Sequence, residues 1–480
     1  MRRRNLASGL IGAGLALALT ACGSQLEPSE VAKANVGLQG AAVSQGDTGA
    51  TQAPVTTTTG SGGGTTGATS TSGTSTTGST SGSGGGTRTT GSTGSTSGQH
   101  PAACAGIKDQ TGITKDKIVI ANASDISGPV PGLFQSSQDA TRAYVAYFNA
   151  TSSICGHKLE LLPLDTRTDN GADKQAYLTA CAKSFAAVGS MAGFDGGGAA
   201  TAQGCGLPDL RAAGISSERQ KCTSCFASDT VDSSTFANAM PDHVIKDYPA
   251  AAKAAAMLYI NAATAPANAN AQANAMERRG MHFVYRQGID ISEFNYAPYV
   301  QQLKNKGAKY VQFLGPYQNG IRLAQAMQQQ GYKPDFFAYD PTAYDSGYVQ
   351  SGGSAVEGTH VFSTTAMFEE ASTNKEMALY QSWLQQVHPG AAPSYFGLYS
   401  WSAARLFVEQ AQKLGAGLTR QSLISALSQV DDWTGNGLHA PQHVGPRTSA
   451  ECVRWIVLRG GKWVPDGPRA YTCHGLSSAK

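Results

Sequence analysis

The run Gly112-Ile-Thr-Lys-Asp-Lys-Ile-Val-Ile120 opens the part of the chain whose pattern decides the fold. Its apolar end, Ile118 to Ala121, is typical of a buried β-strand. A helical pattern follows from Gln135 to Asn149, and an apolar run from Leu159 to Leu164 predicts a second strand. A strand, a helix and a strand in this order form a right-handed βαβ unit, so the sequence predicts a parallel sheet.

The same alternation continues along the chain in two series. The first series goes on with a helix from Lys174 to Phe185, a strand from Phe185 to Met191 and a helix near Ala199. The second series alternates strands and helices at Met281 to Tyr285, Tyr296 to Lys306, Tyr310 to Leu314, Gly320 to Gln330 and Phe336 to Tyr339. Two such series predict an α/β protein with two doubly wound parallel-sheet lobes.

Composition and periodicity assign the segments around these series. The Ala/Asn-rich stretch from Ala262 to Ala275 is interpreted as a surface insertion. Two apolar runs on either side of Gly460-Gly461 predict a terminal β-hairpin. Further helices are predicted at Asn374 to Val387, Phe396 to Leu414 and Arg420 to Gln429.

The bulk composition excludes several classes of function. The chain has 480 residues, of which 41% are apolar, so it can form more than one buried core. Its net charge is only +3, from 36 basic and 33 acidic residues, and this small imbalance gives no reason to expect a nucleic-acid partner. Zinc-protease, serine-hydrolase and P-loop motifs are missing from the predicted folded part. We therefore expect no enzyme activity, no metal and no cofactor.

The N-terminus carries an export signal. Arg2, Arg3 and Arg4 precede an apolar run from Leu10 to Leu19, which is too short to span a bilayer. The sequence Leu19-Thr-Ala-Cys22 then resembles a bacterial lipobox. Residues 1–22 are predicted to be a signal peptide, with Cys22 acylated and inserted in the lipid bilayer. The alternative is an ordinary signal peptide with a chance cysteine.

A tether is predicted from residue 23 to residue 111. Gln45 to Gln99 consists almost entirely of Gly, Ser and Thr, so it has no apolar face that could offset the entropy of ordering. The predicted location is the extracytoplasmic face of the cell membrane, with the folded part held there by lipid.

Cysteine usage agrees with an oxidising compartment. The chain has nine cysteines, and eight remain when the predicted lipidation site is set aside. An even number outside the cytoplasm favours disulfides, and we predict four. The candidates are Cys104, Cys155, Cys181, Cys205, Cys222, Cys225, Cys452 and Cys473.

Several stretches together resemble the type I periplasmic binding proteins, in particular the Leu/Ile/Val- and amide-binding branch that serves ABC transporters as substrate-binding lipoproteins. The opening run is followed by Ser127-Gly128-Pro129, as in the first strand and loop of that family. The resemblance continues through Cys155-Gly-His-Lys-Leu159 with Asp165, then Phe185-Ala-Ala-Val-Gly-Ser190, and then Ala297 to Ala308. The stretches occur in the order of that family, and the resemblance covers nearly all of residues 112 to 465.

The resemblance implies a division of the folded part. Lobe 1 is expected to contain residues 112–239 and 363–443, and lobe 2 residues 240–362 and 444–474. The chain would cross between the lobes near Ala239, Ser363 and Val444, and these three strands would form a hinge. A ligand would bind between the lobes.

With that fold, the cysteines can be paired. Cys104 precedes the first strand and Cys155 the second, so both lie at one end of the sheet and are expected to pair. The other expected pairs are Cys181 with Cys205, Cys452 with Cys473, and Cys222 with Cys225. The last pair forms a CxxC motif in a polar loop, where a structural bridge is favoured over a redox site.

Ligand contacts are expected at the carboxyl ends of the strands. In relatives the loop after the third strand and its Ser or Thr hold the carboxylate or amine of an amino acid. In lobe 1 the candidate positions are Asp125, Ser127, Phe134, Ser190, Phe194 and Asp195. In lobe 2 they are Gln287, Tyr317, Gln318, Tyr344 and Asp345, with Tyr317 as an aromatic wall and Asp345 as an ammonium partner.

Structural roles compete with these assignments. Gly196, Gly197 and Gly198 could serve only a tight turn, and both Asp195 and Asp345 could cap helices. Tyr317 and Tyr344 could be ordinary packing, and Phe194 could belong to the core. These alternatives stay open at the level of sequence.

The function that the resemblance implies is capture of a small polar ligand, an amino acid or an amide-like molecule, and its delivery to an ABC permease in the membrane. The alternative is a lipoprotein of the same fold that senses or scavenges its ligand without transport. An enzyme built on the same lobes is a third hypothesis.

Overall fold

A computed structural model describes Cys104 and residues 106–480 of the chain. The predicted signal peptide with Cys22 lies outside the described residues. So does the predicted tether, apart from Cys104 and residues 106–111. Within the described part, no helix is long and apolar enough to cross a bilayer.

The strands and helices follow the two predicted series. The strands are β1 (Lys117–Ser124), β2 (Lys158–Asp165), β3 (Ala186–Val188), β4 (Asp209–Gly214), β5 (Cys225–Thr230), β6 (Thr235–Ala237), β7 (Ala255–Ile260), β8 (Phe283–Ile289), β9 (Tyr310–Leu314), β10 (Phe336–Tyr339), β11 (Thr359–Ser363), β12 (Cys452–Arg459), β13 (Lys462–Pro465), β14 (Thr472–Cys473) and β15 (Leu476–Ser478). The α-helices are α1 (Gln135–Thr151), α2 (Asn170–Lys183), α3 (Ala199–Gly204), α4 (Ser217–Lys221), α5 (Ala239–Asp247), α6 (Pro249–Ala252), α7 (Ala265–Arg279), α8 (Ala297–Asn305), α9 (Tyr317–Gln329), α10 (Ser346–Gly352), α11 (Lys375–Val387), α12 (Tyr395–Leu414) and α13 (Arg420–Leu427). Short 3₁₀-helices lie at Pro341–Ala343, Gly353–Val356, Phe368–Glu370 and Gly415–Gly417.

Lobe 1 is built on a parallel sheet with the strand order β2-β1-β3-β4-β5. The alternation of side chains along β1 shows why helices cover both faces. Ile118 and Ile120 are buried in the core that contains α1 and α12. Ala121 and Ala123 point to the opposite face, where they pack with Tyr177 of α2. A central strand buried on both sides is what a doubly wound lobe requires.

Lobe 2 is built on a larger, mixed sheet with the strand order β13-β12-β11-β10-β9-β7-β8. Its strands from β7 to β11 pair in parallel, and β12 and β13 add an antiparallel hairpin at one edge. The predicted terminal hairpin is therefore present, and it completes the sheet of lobe 2. The predicted two-lobed α/β fold is confirmed.

The interpretation of Ala262 to Ala275 as a surface insertion was wrong. Most of this stretch belongs to helix α7, which connects β7 to β8 within lobe 2. Ala269, Ala273 and Met276 are buried against the sheet of lobe 2, while Asn side chains occupy much of the remaining surface. Alanine gives only a weak apolar signal, and strand β7 before the helix was not predicted at all.

The chain passes between the two sheets three times. It leaves the first sheet after β5, returns to lobe 1 after β11, and enters the second sheet again at β12. Between the last two crossings, helices α11, α12 and α13 pack in the core of lobe 1. Thr365 and His439 form an isolated bridge where two of these connections run side by side. The exact lobe boundaries stay a prediction.

The four expected disulfides are all present: Cys104–Cys155, Cys181–Cys205, Cys222–Cys225 and Cys452–Cys473. Cys222 and Cys225 are only 3% and 2% exposed, so the sulfur atoms of the CxxC motif lie inside lobe 1. A thiol partner has no access to a disulfide buried in this way, which favours its structural interpretation.

Gly320→Ala should destabilise the protein through lobe 2. A Cβ at this position of α9 would lie 1.9 Å from a ring atom of Tyr339, a side chain that is fully buried. Overpacking of this kind lowers the free energy of unfolding by about 1–3 kcal/mol. Gly204→Ala at the end of α3 is the matched control, because nothing lies within 4 Å of its Cβ. Urea denaturation of the two variants checks the prediction, and equal midpoints would contradict it.

Candidate ligand-binding cleft

A cavity lies between the carboxyl ends of the strands in the two lobes, and we call it the chamber. Its lining comes from both lobes and from the crossing segments. Apolar side chains form most of the wall: Leu133, Phe134, Met191, Ala213, Ile215, Val231, Tyr395 and Phe396 on the side of lobe 1, and Phe236, Met240, Ile260, Ile291, Leu314, Phe362 and Val453 on the other. An apolar wall with a few polar groups is typical of small-molecule sites.

Aromatic rings shape the wall of the chamber in lobe 1. Phe134 precedes α1, and its ring meets that of Phe396 edge to face, with centroids 5.2 Å apart. Tyr395, at the start of α12, meets Phe396 at the same distance. Ser394 caps α12 by accepting a hydrogen bond from the N–H of Gly397 at 3.0 Å, which fixes where the helix begins. The rings of Phe134, Tyr395 and Phe396 therefore pack against one another where α1 and α12 begin.

The charged groups of the chamber are all acidic. Its lining residues include Asp229 and Asp340, and they include no lysine, arginine or histidine. Asp229 lies on β5 in lobe 1, and Asp340 directly follows β10 in lobe 2. Each therefore lies at the carboxyl end of its strand, one in each lobe.

Asp229 is buried with little support from the chain. The residue is 6% exposed, and the hydroxyl of Tyr395 donates to its Oδ2 over 3.2 Å. Burial raises the pKa of Asp229 to about 7, although the hydrogen bond from Tyr395 opposes this. The hydroxyl of Thr364 forms hydrogen bonds with the hydroxyls of both Tyr395 and Tyr399, each at 2.7 Å. Among the described residues, Tyr395 is the one hydrogen-bond donor to the side chain of Asp229.

Asp340 is better satisfied. Its side chain accepts hydrogen bonds from the N–H groups of Gly315 at 3.1 Å and Thr342 at 2.8 Å, and from the hydroxyl of Thr342. Burial still raises its pKa to about 6. Asp340 thus ties the turn after β9 to the turn after β10 and begins a 3₁₀-helix.

The predicted acidic contacts of lobe 1 hold loops together instead of lining the chamber. Asp125 accepts hydrogen bonds from the hydroxyl of Thr166 at 2.5 Å and from the N–H groups of Thr168 and Gly193 at 2.7 Å each. It therefore joins the turns after β1, β2 and β3.

Asp195 joins the next turn in the same way. Its carboxylate accepts hydrogen bonds from the N–H groups of Ile215 at 2.9 Å and Ser216 at 3.2 Å, directly after β4. Asp195 is fully buried and is not among the lining residues. These contacts favour the alternative interpretation, in which Asp195 bonds to the backbone and not to a ligand. The N–H groups that it binds lie after a strand, however, and not at the start of a helix.

The other lobe-1 candidates divide between the wall and the scaffold. Phe134 lines the chamber. Ser190 is buried, and its Oγ accepts a hydrogen bond from the N–H of Ala123 at 3.0 Å. The exposed Ser127 donates to Asp165 at 2.5 Å, and Phe194 is partly exposed outside the lining.

In lobe 2, three of the predicted residues come together in a second space, which we call the side pocket. Tyr317, Gln318 and Asp345 line it from α9 and the start of α10. Leu133 of lobe 1 lines both the side pocket and the chamber, so the two spaces adjoin. Asp345 caps α10 by accepting from the N–H of Gly347 at 2.7 Å, and burial raises its pKa.

Gln287 and Tyr344 lie away from both spaces. The side-chain amide of Gln287 donates to the carbonyl of Gly288 on β8. Tyr344 is buried, stacks on Phe368 with centroids 4.3 Å apart, and donates to Glu369 at 2.9 Å. The packing of Tyr344 agrees with its alternative interpretation. Ligand contact by any of these candidates stays a prediction.

The sequence analysis missed the polar groups that do line the chamber. Asp229 and Tyr395 were not singled out, nor was the turn at Ala262–Ala265 that begins α7. The strand that carries Asp229, Cys225-Phe-Ala-Ser-Asp-Thr230, has too few large apolar residues to give a strand signal. The order of strands in the sheet, which brings Asp229 to α12, cannot be seen in a local pattern.

A family model described as periplasmic binding protein matches residues 117–450, which is well over half of the chain. The chain belongs to the periplasmic binding protein family. Proteins of this family act outside the cytoplasm as binding proteins. The match spans both lobes of this periplasmic binding protein up to the start of β12. It includes every residue that lines the chamber except Val453.

Solved structures of similar fold agree with the family. A leucine-binding protein from Thermotoga maritima has a TM-score of 0.62 at 14% identity, and the match covers 75% of this chain and 98% of that one. A fatty acid ABC transporter substrate-binding protein from Thermomonospora curvata has a TM-score of 0.66 at 16% identity, with 77% and 95% covered. A solute-binding protein from R. palustris in complex with 4-hydroxybenzoate has a TM-score of 0.63 at 16% identity, with 75% and 98% covered. No curated protein matches the chain. At these identities the likeness establishes the fold alone.

Asp229→Asn should stabilise the ligand-free protein at pH 8. The carboxyl titrates near 3.8 in an unfolded chain and near 7 in the fold, so the folded state holds a proton more tightly between these values. The stability of the parent therefore falls as the pH rises from about 4 to 7, whereas the neutral amide does not titrate. We expect a difference of up to about 4 kcal/mol at pH 8 and little below pH 4. Urea denaturation across this range measures it, and a variant less stable than the parent at pH 8 would refute the prediction.

Proposed function

We propose that this protein is an extracytoplasmic solute-binding protein that captures a small molecule in the chamber and delivers it to an ABC importer. The observation that carries the proposal is the chamber itself, which both lobes line with the carboxyl ends of their strands. Open parallel sheets bind ligands at this end. No catalytic step is part of the proposal.

The proposed ligand has an apolar body. Most of the chamber wall is apolar, and removing apolar surface from water contributes roughly 25 cal/mol per Å². The names of the structures of similar fold mention leucine, a fatty acid and 4-hydroxybenzoate, each of which carries an apolar part. Within the expected class, the candidates are an amino acid with an apolar side chain or an amide-like molecule.

Binding is proposed to close the two lobes. The three crossings between the sheets form the hinge, and the ligand would bring the apolar walls together around itself. In this state Phe134 contacts the ligand, and Tyr317, Gln318 and Asp345 contribute where the side pocket adjoins the chamber. The closed form would dock on a membrane permease, with acylated Cys22 and the tether holding the protein to the bilayer.

A thermal-shift screen against amino acids, amides, aromatic acids and fatty acids tests the proposal. A ligand at one hundred times its dissociation constant adds about 2.7 kcal/mol to the free energy of unfolding. Uptake of the labelled ligand by cells with and without the chain then separates transport from binding alone. If the ligand binds but its uptake is unchanged, the sensor or scavenger alternative replaces the importer.

Leu133→Ala and Phe396→Ala should weaken binding of whatever ligand the screen identifies. Both side chains line the chamber, and burying a side chain of this size contributes about 1.5–3 kcal/mol, so each variant should raise the dissociation constant by about tenfold or more. Leu178→Ala is the control, because Leu178 is 45% exposed on α2 and outside the chamber. Isothermal titration calorimetry measures the three affinities. Equal affinities for all variants would place the ligand elsewhere.

A further inference from the structure

We propose that the chamber selects ligands that carry an ammonium or a primary amide group and discriminates against ligands with a free carboxylate. The side chain of Asp229 would accept the hydrogen bond that the ammonium or amide N–H donates. This inference rests on the proposed function and narrows its substrate class. Amines and amides both present an N–H donor to an acceptor oxygen. The experiment below distinguishes which of the two groups the chamber prefers.

The first argument is that lobe 1 has already used the N–H groups that would hold an anion. The N–H of Gly193 donates to Asp125, and those of Ile215 and Ser216 donate to Asp195, although Gly193 and Ile215 both line the chamber. A ligand carboxylate that bound at these N–H groups would have to displace a side-chain carboxylate that the fold holds in place. Displacement would also leave a buried carboxylate oxygen of that aspartate without its donor, at a cost of about 1–3 kcal/mol.

The second argument is the sign of the charge in the chamber. Asp229 and Asp340 line it from opposite lobes, and no lysine, arginine or histidine is among the lining residues. When the lobes close on a ligand and exclude water, as the proposed function requires, charges in the chamber would interact more strongly than in water. An anionic group of a ligand would therefore meet acidic side chains without a basic one, whereas an ammonium or amide would meet acceptors.

The third argument is that one acceptor is unused. Asp340 already receives three hydrogen bonds, from Gly315 and Thr342. Asp229 receives one, from Tyr395 to Oδ2, and its Oδ1 receives none from the described part of the chain. Because Asp229 lines the chamber, this oxygen is open to the cavity, where a donor on the ligand would supply the hydrogen bond that the protein does not. Asp229 is therefore the acceptor that we assign to the ligand.

The experiment compares ligands that share one apolar body and differ only in the polar group. The aliphatic set is 3-methylbutan-1-amine, 3-methylbutanamide and 3-methylbutanoate, and the aromatic set is benzylamine, benzamide and benzoate. Calorimetric titration of the full-length chain should give affinities for the amine or the amide at least about tenfold above that of the carboxylate with the same body.

Asp229→Asn tests the residue itself. The amide side chain keeps the shape and the bond to Tyr395 but loses the charge, so amine binding should weaken by about ten- to a hundredfold, and amide binding by less. Asp232→Asn is the matched control, since Asp232 lies on the same segment and its side chain bonds only to Ser234. A melting curve of each variant confirms folding.

The outcomes separate the inference from the proposed function. If the carboxylates bind more tightly than the amines and amides, or if Asp229→Asn leaves amine binding unchanged, the inference is wrong while the solute-binding function stands. If no compound of either set or of the wider screen binds, both are wrong. Selective binding of amines or amides that is lost in Asp229→Asn and kept in Asp232→Asn supports the inference.

Discussion

The buried carboxylates of Asp125 and Asp195 hold the loops of lobe 1 in place at the chamber. They also determine which backbone N–H groups of these loops a ligand can reach. The end of a parallel strand leaves N–H groups without sheet partners, and buried N–H groups must be hydrogen-bonded. Asp125 satisfies them in the turns after β2 and β3, and Asp195 does so after β4. The chain thus uses its own carboxylates where a binding site could present donors to a ligand.

A buried ionic cluster of Asp173, Asp209, Arg211 and Arg219 bonds to the backbone of Asp195. The guanidinium of Arg219 donates to the backbone carbonyl of Asp195 and pairs with Asp173 at 3.2 Å and with Asp209. Arg211 adds a second buried guanidinium, which donates to the hydroxyl of Tyr177 at 2.5 Å. Removing one partner from such a cluster leaves an uncompensated charge in the interior, so the loop after β3 is held to the sheet by interactions that act together.

Sequence patterns predicted the parts of the fold that are fixed by apolar periodicity. The strands at Lys117–Ser124, Tyr310–Leu314 and Phe336–Tyr339, and the long helix at Tyr395–Leu414, all carry large apolar residues in the expected period. The alanine-rich helix Ala265–Arg279 was mistaken for an insertion because alanine packs well but barely raises local hydrophobicity. The disulfides could be paired once the order of the strands was assumed.

The lining of the chamber was predicted less well than the fold. A polar residue after a strand can face a ligand or bond to the chain, and local sequence does not distinguish the two. Asp125, Ser190 and Asp195 all bond to the backbone, and only Phe134 among the lobe-1 candidates lines the chamber. Which groups remain free depends on the three-dimensional positions of donors, and this information appears only when the strands are assembled.

Asp229 stands apart from the other buried carboxylates because the fold does not satisfy it. Asp125, Asp195 and Asp340 each receive several hydrogen bonds from backbone groups, while Asp229 has one bond, from the hydroxyl of Tyr395. Stability alone would favour an apolar or amide side chain at this position, since burial raises the pKa of Asp229 to about 7. Groups that weaken the empty protein concentrate at functional sites, because the ligand supplies the missing interaction. The raised pKa in the ligand-free protein and the proposed selectivity for a donor then both follow from the burial of a carboxyl group that the chain itself barely satisfies.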